Sequence, residues 1–206
     1  LHIGTTKTYA RYLMPNYIST FHALYPEVSI HLSEGSSTEM MQSLFNMKNE
    51  LAIVASTDYP KFLNSIAFGK EEILLVASPD HMLAKRSPIT TKELTNIPLI
   101  MREEGSVTRQ VVMEMFKDIN LSPTILYEAS NLEFIKELLL RGEGASFIVR
   151  AAVEKELSQG VLKEIKISDI TLTMETNIVF LDEKELSKIA RAFINVVLKK
   201  DEKIFH

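Results

Sequence analysis

The stretch Leu51-Ala52-Ile53-Val54-Ala55 decides the fold class, because five consecutive apolar residues predict a short strand that is buried on both faces. Such strands are typical of parallel sheets, which are covered by helices on either side. Similar apolar runs recur at 73–77 and 145–149. The segments between them carry apolar residues at helical spacing, as at Val112, Met115 and Phe116. Alternation of the two patterns predicts an α/β fold.

The order of predicted elements occurs twice along the chain. The first copy runs strand 1–4, helix 6–25, strand 27–34, helix 37–48 and strand 51–55, and the second runs strand 98–101, helix 106–119, strand 124–128, helix 131–141 and strand 145–149. The two copies are similar in element order and not in sequence. We therefore predict two βαβ-type lobes with a central cleft between them.

The lobes are predicted to be joined by two crossover strands. Residues 1–77 and 176–206 are assigned to lobe I, and residues 80–168 to lobe II. The crossovers are expected near 78–79 and 169–175. Two crossovers make a hinge that can open and close around a ligand.

Composition excludes several classes of protein. The 206 residues carry a net charge of -4 and no cysteine, which excludes disulfide frameworks and thiol catalysis. An isolated DNA-binding module usually has a basic face, so we expect this chain not to bind DNA by itself. No apolar run approaches the ~20 residues that span a bilayer, and no signal peptide is visible. We expect a cytoplasmic protein with no membrane partner, and further sequence before Leu1.

Hydroxyl residues follow three predicted strands, at turns where helices begin. Ligands in open α/β sheets bind beyond the carboxyl ends of the strands, where helix N-termini offer free N–H groups. The candidate ligand-binding residues are Thr6, Thr8, Ser36, Thr38, Ser106 and Thr108, with Arg102 as a bidentate partner for a carboxylate or sulfate. The alternative is that each Ser or Thr is an ordinary helix cap. Because three such turns are predicted to converge, we expect a small anion to bind in the cleft.

Residues that would indicate catalysis are not found in the sequence. Glu103 and Glu104 are adjacent, so we interpret them as solvated loop charges and not as an acid–base pair. The five histidines show no paired spacing, and no nucleophile-elbow, phosphate-loop or dinucleotide-binding motif occurs. We expect no enzymatic activity, no metal and no cofactor.

Several short motifs in order resemble one family over essentially the whole chain. They are Leu1-His2-Ile3-Gly4, Leu13-Met14-Pro15, Tyr25-Pro26-Glu27-Val28, Glu34-Gly35-Ser36, Pro79-Asp80-His81 and Gly142-Glu143-Gly144-Ala145. Their order and spacing are similar to those of the effector domain of LysR-type transcriptional regulators. The resemblance implies a fold like the type 2 periplasmic binding proteins. It also implies a winged helix-turn-helix outside this chain, which alone contacts DNA, and a homodimer that becomes a tetramer at full length.

A narrower resemblance, to the CysB-like branch, comes from residues 5–12 and 28–32. In that branch, threonines at the positions of Thr6 and Thr8 bind sulfate, which implies an effector connected with sulfur or cysteine metabolism. Tyr9 stands where the branch has a glutamine.

Two other functional classes share parts of this pattern. A free-standing solute-binding protein of a transporter has the same predicted fold but needs an export signal. A two-lobed α/β enzyme needs a nucleophile and base or a metal set, which the sequence does not offer. Transcriptional regulation by a sensed anion is therefore the function that the sequence favours.

Overall fold

The computed structural model describes residues 1–55, 60–95 and 97–201. The chain folds into two compact units. Unit 1 contains Leu1–Lys70 and the part of the chain from Glu175 onward, and unit 2 contains Glu71–Met174. Strands and helices alternate in both units, so the predicted α/β class is confirmed.

Unit 1 is built on a sheet with strand order β2-β1-β3-β9-β4. β1 pairs parallel with both β2 and β3, and β9 runs antiparallel to β3. Its elements are β1 (His2–Thr6), α1 (Lys7–Tyr12), α2 (Met14–Leu24), β2 (His31–Gly35), α3 (Ser37–Phe45), β3 (Leu51–Ala55), the start of β4 (Asn64–Ala77), the end of β9 (Leu172–Phe180), a short 3-10 helix (Glu183–Glu185) and α8 (Lys188–Asp201).

Unit 2 is built on the strand order β4-β7-β5-β6, with β8 paired to β4. β5 runs parallel to β6 and β7, whereas β4 runs antiparallel to β7. Its further elements are α4 (Met82–Arg86), a 3-10 helix (Thr91–Leu94), β5 (Pro98–Arg102), α5 (Val107–Asp118), β6 (Thr124–Ala129), α6 (Leu132–Leu140), β7 (Ala145–Val149), α7 (Arg150–Ser158) and β8 (Lys163–Ile165).

The first division between the units falls earlier than the sequence predicts. Residues 71–77 were assigned to lobe I with a crossover near 78–79, but unit 2 begins at Glu71. The reason is that β4 is one strand of 14 residues, and an uninterrupted strand contains no turn residue to mark the change. The chain re-enters unit 1 at Glu175, within the predicted crossover 169–175.

The predicted helix 6–25 is two helices, α1 and α2, that meet at Leu13. Pro15 occupies the first turn of α2. Proline has no N–H to donate, and the first turn is the one place in a helix where no intrahelical acceptor awaits that N–H. Pro15 therefore fits the first turn of a second helix.

The predicted strand 27–34 is shorter and more exposed than expected. β2 begins at His31, so Val28 and Ile30 lie before it, and Leu32 is 40% exposed. The predicted start of this strand, at residue 27, was wrong. β2 ends the strand order of unit 1, and an edge strand leaves one flank uncovered.

The apolar face of α8 forms part of the core of unit 1. Ala190, Phe193 and Val197 are fully buried, and the Phe193 ring meets the Phe21 ring of α2 at 5.3 Å in a T-shaped arrangement. On the α3 side, a second set of buried side chains packs together: Met40, Leu44, Ala52, Val54, Leu63 and Val179. Burial of both faces of the sheet explains why the run 51–55 is apolar at every position.

Replacing the central aromatic of α8 tests this packing. Phe193→Ala should lower the free energy of unfolding by about 3–5 kcal/mol, because it removes a buried ring and leaves a cavity. Ile189→Ala on the same helix is the matched control, since Ile189 is 41% exposed, and it should cost less than ~1.5 kcal/mol. Urea denaturation of the three proteins provides the measurement. Equal losses would show that α8 does not pack as described.

Candidate functional site

The turns that follow β1 and β2 lie side by side in unit 1. Thr6, the last residue of β1, is the register partner of Gly35, the last residue of β2. α1 begins at Lys7, directly after Thr6, and α3 begins at Ser37, after its N-cap Ser36. The predicted grouping of Thr6 and Thr8 with Ser36 and Thr38 at one sheet edge thus follows from parallel pairing.

Thr6 caps α1 and keeps a hydroxyl proton for another partner. Its Oγ1 accepts a hydrogen bond of 3.3 Å from the backbone N–H of Tyr9. A hydroxyl that accepts one bond can still donate one, so capping and ligand binding are compatible roles. Thr8 lies two residues later, half-buried in the first turn of α1, and Lys7 between them is exposed.

The start of α3 already holds a carboxylate. Ser36 and Glu39 form a capping box, in which the Ser36 N–H donates to Glu39 Oε2 at 2.7 Å and the Glu39 N–H donates to Ser36 Oγ at 3.2 Å. The backbone and side-chain hydrogen bonds from Ser36 lower the pKa of Glu39 below its ordinary value of 4.5, and the charge of Lys7 lowers it further. An anionic ligand near Ser36 would therefore meet a negative charge. Thr38, the second residue of α3, is exposed.

Three buried polar residues beneath this edge were not predicted from the sequence. Thr5 is fully buried, and its hydroxyl donates to the carbonyl of Ile53 at 2.8 Å. The Tyr9 hydroxyl lies 3.1 Å from the Thr176 hydroxyl, and both residues are buried. The only signal in the sequence was Tyr9 itself, at a position where the resemblance gives glutamine.

Unit 2 has an equivalent edge at the ends of β5, β6 and β7. Arg102, the last residue of β5, is the register partner of Ala129, the last residue of β6. Asn131 then caps α6, its Oδ1 accepting from the N–H groups of Glu133 and Phe134 at 2.9 and 3.2 Å. Ser146 on β7 donates to the carbonyl of Ile100 at 2.6 Å, much as Thr5 does in unit 1.

The guanidinium groups at this edge are paired with carboxylates. Arg102 forms a two-pronged contact with Glu103, at 2.8 Å from Nε and 3.0 Å from Nη2. Arg109 donates to the Arg102 carbonyl at 2.7 Å and to the Glu128 carboxylate. The interpretation of Glu103 as a solvated loop charge was wrong, because the turn after β5 brings its carboxylate against the guanidinium of its neighbour. Glu104 is exposed, as predicted.

The N-terminus of α5 is less occupied than that of α3. Within the described part of the chain, the Ser106 side chain makes no capping hydrogen bond, and the first turn of α5 has no acidic residue. Gly105 precedes it with φ +86, a left-handed conformation that glycine adopts without a Cβ clash. Thr108 is buried one residue inside the helix. Free N–H groups and the half-buried Ser106 hydroxyl suit an anion at this edge.

Metal and membrane sites were searched over the same part of the chain. No group of three or more His, Asp or Glu residues among residues 1–55, 60–95 and 97–201 could hold a metal ion, and His206 lies outside them. None of the helices in those ranges is both long enough and apolar enough to cross a membrane.

Comparison with known protein families decides the identity of the fold. A family model described as the LysR substrate binding domain matches residues 1–202. The chain belongs to this LysR family. Curated relatives that match it include the HTH-type transcriptional activator CmpR of Synechocystis sp., which is 29% identical over 199 residues, covering 97% of the chain and 66% of CmpR. A probable RuBisCO transcriptional regulator of Cyanidium caldarium is 29% identical over 205 residues, covering 96% of the chain and 64% of that protein.

Solved structures of LysR regulators share the fold. The regulatory domain of Synechocystis CcmR, in complex with 2-PG, matches with a TM-score of 0.91 at 24% identity, over 99% of the chain and 98% of that structure. The effector binding domain of QuiR, in complex with shikimate, matches with a TM-score of 0.88 at 19% identity, over 98% and 97%. The cofactor-binding domain of the Cbl regulator matches at 0.87 and 23% identity, over 100% and 92%. At these identities the likeness shows the fold, and the CysB-like branch stays a prediction.

The capping box of α3 makes stability depend on pH. Because the pKa of Glu39 is lower in the folded state, the unfolded chain takes up its proton first as the pH falls. The contribution of Glu39 to the free energy of unfolding is therefore fully present above pH 4.5, its ordinary pKa, and is lost as the pH falls through the lower pKa of the folded state. Glu39→Gln should therefore show a smaller fall in unfolding free energy between about pH 6 and about pH 3 than the wild type.

Urea denaturation at the two pH values measures this difference. Glu34→Gln is the matched control, because it removes an exposed carboxylate near the same turn but outside the capping box. The same flattening in both variants would mean that the Ser36–Glu39 contacts are not its source.

Proposed function

We propose that this chain is the effector-sensing domain of a LysR-type transcriptional regulator, and that its effector is a small anionic metabolite. The curated relatives are named as transcriptional regulators, and the chain spans about two thirds of their length or slightly less, 66% of CmpR and 64% of the Cyanidium protein. DNA contact then belongs to a winged helix-turn-helix outside this chain. The net charge of -4 agrees with that division of labour.

The observation that carries the proposal is the Thr6–Thr8 hydroxyl pair at the carboxyl edge of β1. A partly buried anion must be hydrogen-bonded, or the cost of removing it from water prevails. Thr6 can donate while its oxygen caps α1. Thr8 projects from the following turn, and the exposed Lys7 between them adds a positive charge. Ser36 and Thr38 are proposed as weaker contacts, since Glu39 stands beside them.

The edge of unit 2 supplies a second set of donors, which we propose as further effector contacts. Ser106 and Thr108 sit at the uncapped start of α5. Arg102 can take part by exchanging Glu103 for an effector carboxylate or sulfate of the same two-oxygen geometry. Such an exchange keeps the guanidinium paired whether or not effector is present. Because Arg102 is already paired with Glu103, binding is favourable only for an anion whose two oxygens match the Nε and Nη2 donors of the guanidinium.

Sulfate is the first ligand to examine, because the resemblance of residues 5–12 connects this edge with sulfur and cysteine metabolism. Shikimate and 2-PG, which the titles of the matched structures name, complete a short panel. Thermal-shift screening ranks the panel, since a ligand that binds only the folded state raises the melting temperature.

Removal of single hydroxyls tests the site. Thr6→Val and Thr8→Val keep the shape of the side chain and should each weaken binding of the best panel ligand by about ten- to a hundredfold, the effect of one charge-assisted hydrogen bond. Titration calorimetry gives the affinities. Thr20→Val on α2, which removes a hydroxyl that donates to the Asn16 carbonyl, is the control and should bind normally. Unchanged affinity in both Thr6→Val and Thr8→Val, with folding intact, would show that the effector binds elsewhere.

The chain is also proposed to form a homodimer through exposed apolar residues of both units. In unit 1, Leu24 of α2 and Leu32 of the edge strand β2 are exposed. In unit 2, Leu126 of the edge strand β6 and Met113 of α5 are exposed. A two-fold pair uses each patch twice, so one dimer covers both edge strands.

Light scattering at micromolar concentration should show a dimer that is lost on charging either edge. Leu32→Lys and Leu126→Lys should each shift the protein towards monomer, because an unpaired charge buried in an interface is costly. Met47→Lys is the control, since Met47 is 81% exposed outside these strands. A wild-type protein that stays monomeric, or variants that all remain dimeric, would contradict the proposed surface.

A further inference from the structure

Helix α1 is too short to hold its own position. It has six residues, from Lys7 to Tyr12, and ends at Leu13, where α2 takes over. Isolated helices of this length do not form in water, because nucleation costs more than one turn of hydrogen bonds returns. The placement of Thr6 and Thr8 must therefore come from contacts between α1 and the rest of unit 1.

Tyr9 makes one such contact, between α1 and the sheet. Its side chain is 3% exposed, and its hydroxyl lies 3.1 Å from the Thr176 hydroxyl in a buried setting. The backbone N–H of the same residue donates to Thr6 Oγ1 at 3.3 Å. Tyr9 thus contacts the Thr6 side chain through its backbone N–H and the sheet through its hydroxyl.

Thr176, the partner of Tyr9, occupies a buried position in the sheet. It is 1% exposed and lies on β9, where it is the register partner of Ala55 at the carboxyl end of β3. β3 in turn pairs with β1, the strand that delivers Thr6. The contact joins residues 167 positions apart in sequence, so it ties the first helix to the segment that returns to unit 1.

We propose that the Tyr9 hydroxyl is a positioning group for effector recognition: by bonding to Thr176 it fixes α1, and so sets the direction in which the Thr6 and Thr8 hydroxyls donate. This inference rests on the proposed function. Tyr9 itself does not contact the effector. Its role is to hold two donors within a few tenths of an ångström of the geometry that binds an anion. A phenyl ring fills the same space but cannot make the buried bond.

Four variants separate positioning from packing. Tyr9→Phe and Thr176→Val each remove one side of the contact, and the double variant removes both. Thr176→Ser keeps the hydroxyl and removes only a methyl group, so it is the matched control. Two measurements are made on the full chain: amide hydrogen exchange of α1 against α3, and sodium sulfate affinity by titration calorimetry.

The exchange measurement addresses the helix and needs no ligand. In Tyr9→Phe and Thr176→Val the α1 amides should exchange about three- to tenfold faster, the effect of losing one net hydrogen bond, while α3 amides keep their wild-type rates. Thr176→Ser should protect α1 as the wild type does. Equal acceleration in α1 and α3, or none in α1, would overturn the proposal, because the contact would then act on the whole unit or on nothing.

The sulfate measurement connects the helix to recognition. Tyr9→Phe and Thr176→Val should each weaken sulfate binding by roughly five- to tenfold, Thr176→Ser should restore it, and the double variant should lose no more than either single variant. Additive losses, or a normal affinity in Tyr9→Phe where Thr6→Val binds poorly, would overturn the positioning role. If wild-type protein binds no sulfate, or Thr6→Val binds it normally, the sulfate site of the proposed function fails. The exchange rates of α1 then still decide whether Tyr9 anchors it.

Discussion

Parallel pairing of β1 with β2 and β3 is the constraint on which the candidate site of unit 1 depends. It aligns the carboxyl ends of neighbouring strands, with Thr6 opposite Gly35, so that the following helices start from one edge. A buried hydrogen bond links two of these strands near the same edge, because the Thr5 hydroxyl donates to the carbonyl of Ile53. Unit 2 repeats the arrangement, with Ser146 bonded to the carbonyl of Ile100. In each unit a small buried polar residue donates to a carbonyl of the neighbouring strand, and burying such a residue costs little once it has that bond.

Several charged side chains at the two edges already have hydrogen-bond or ion-pair partners. Glu39 is held by the backbone and side chain of Ser36, Arg102 by Glu103, and Arg109 by Glu128. The anionic effector that we propose would therefore be recognised by directed donors or by exchange for a resident carboxylate. The uncapped start of α5 and the hydroxyls of Thr6 and Thr8 are the groups that suit this task.

Much of the architecture was predictable because hydrophobic period is a local property. The strands at 51–55 and 145–149 were predicted with their observed bounds. Errors arose where the deciding factor was not local. Leu32 alternates with polar residues like a buried strand, yet β2 lies at the edge of its sheet. The unit boundary at Lys70 lies in the middle of a strand, where no turn residue marks it. From its neighbours in sequence, Glu103 was expected to be a solvated loop charge. The path of the turn instead places its carboxylate against the Arg102 guanidinium.

The α/β class, the alternation of elements and the family could all be predicted from the sequence, because they follow from the period of apolar residues and from short motifs in a fixed order. It also identified the hydroxyls that end up at the two sheet edges. The folded structure was needed to show which of those hydroxyls and charges already have partners, and that Tyr9 contacts Thr176, 167 positions away in the sequence. Hydrogen bonding and charge pairing depend on distances of a few ångströms. These distances are set when the chain folds, and sequence separation does not give them.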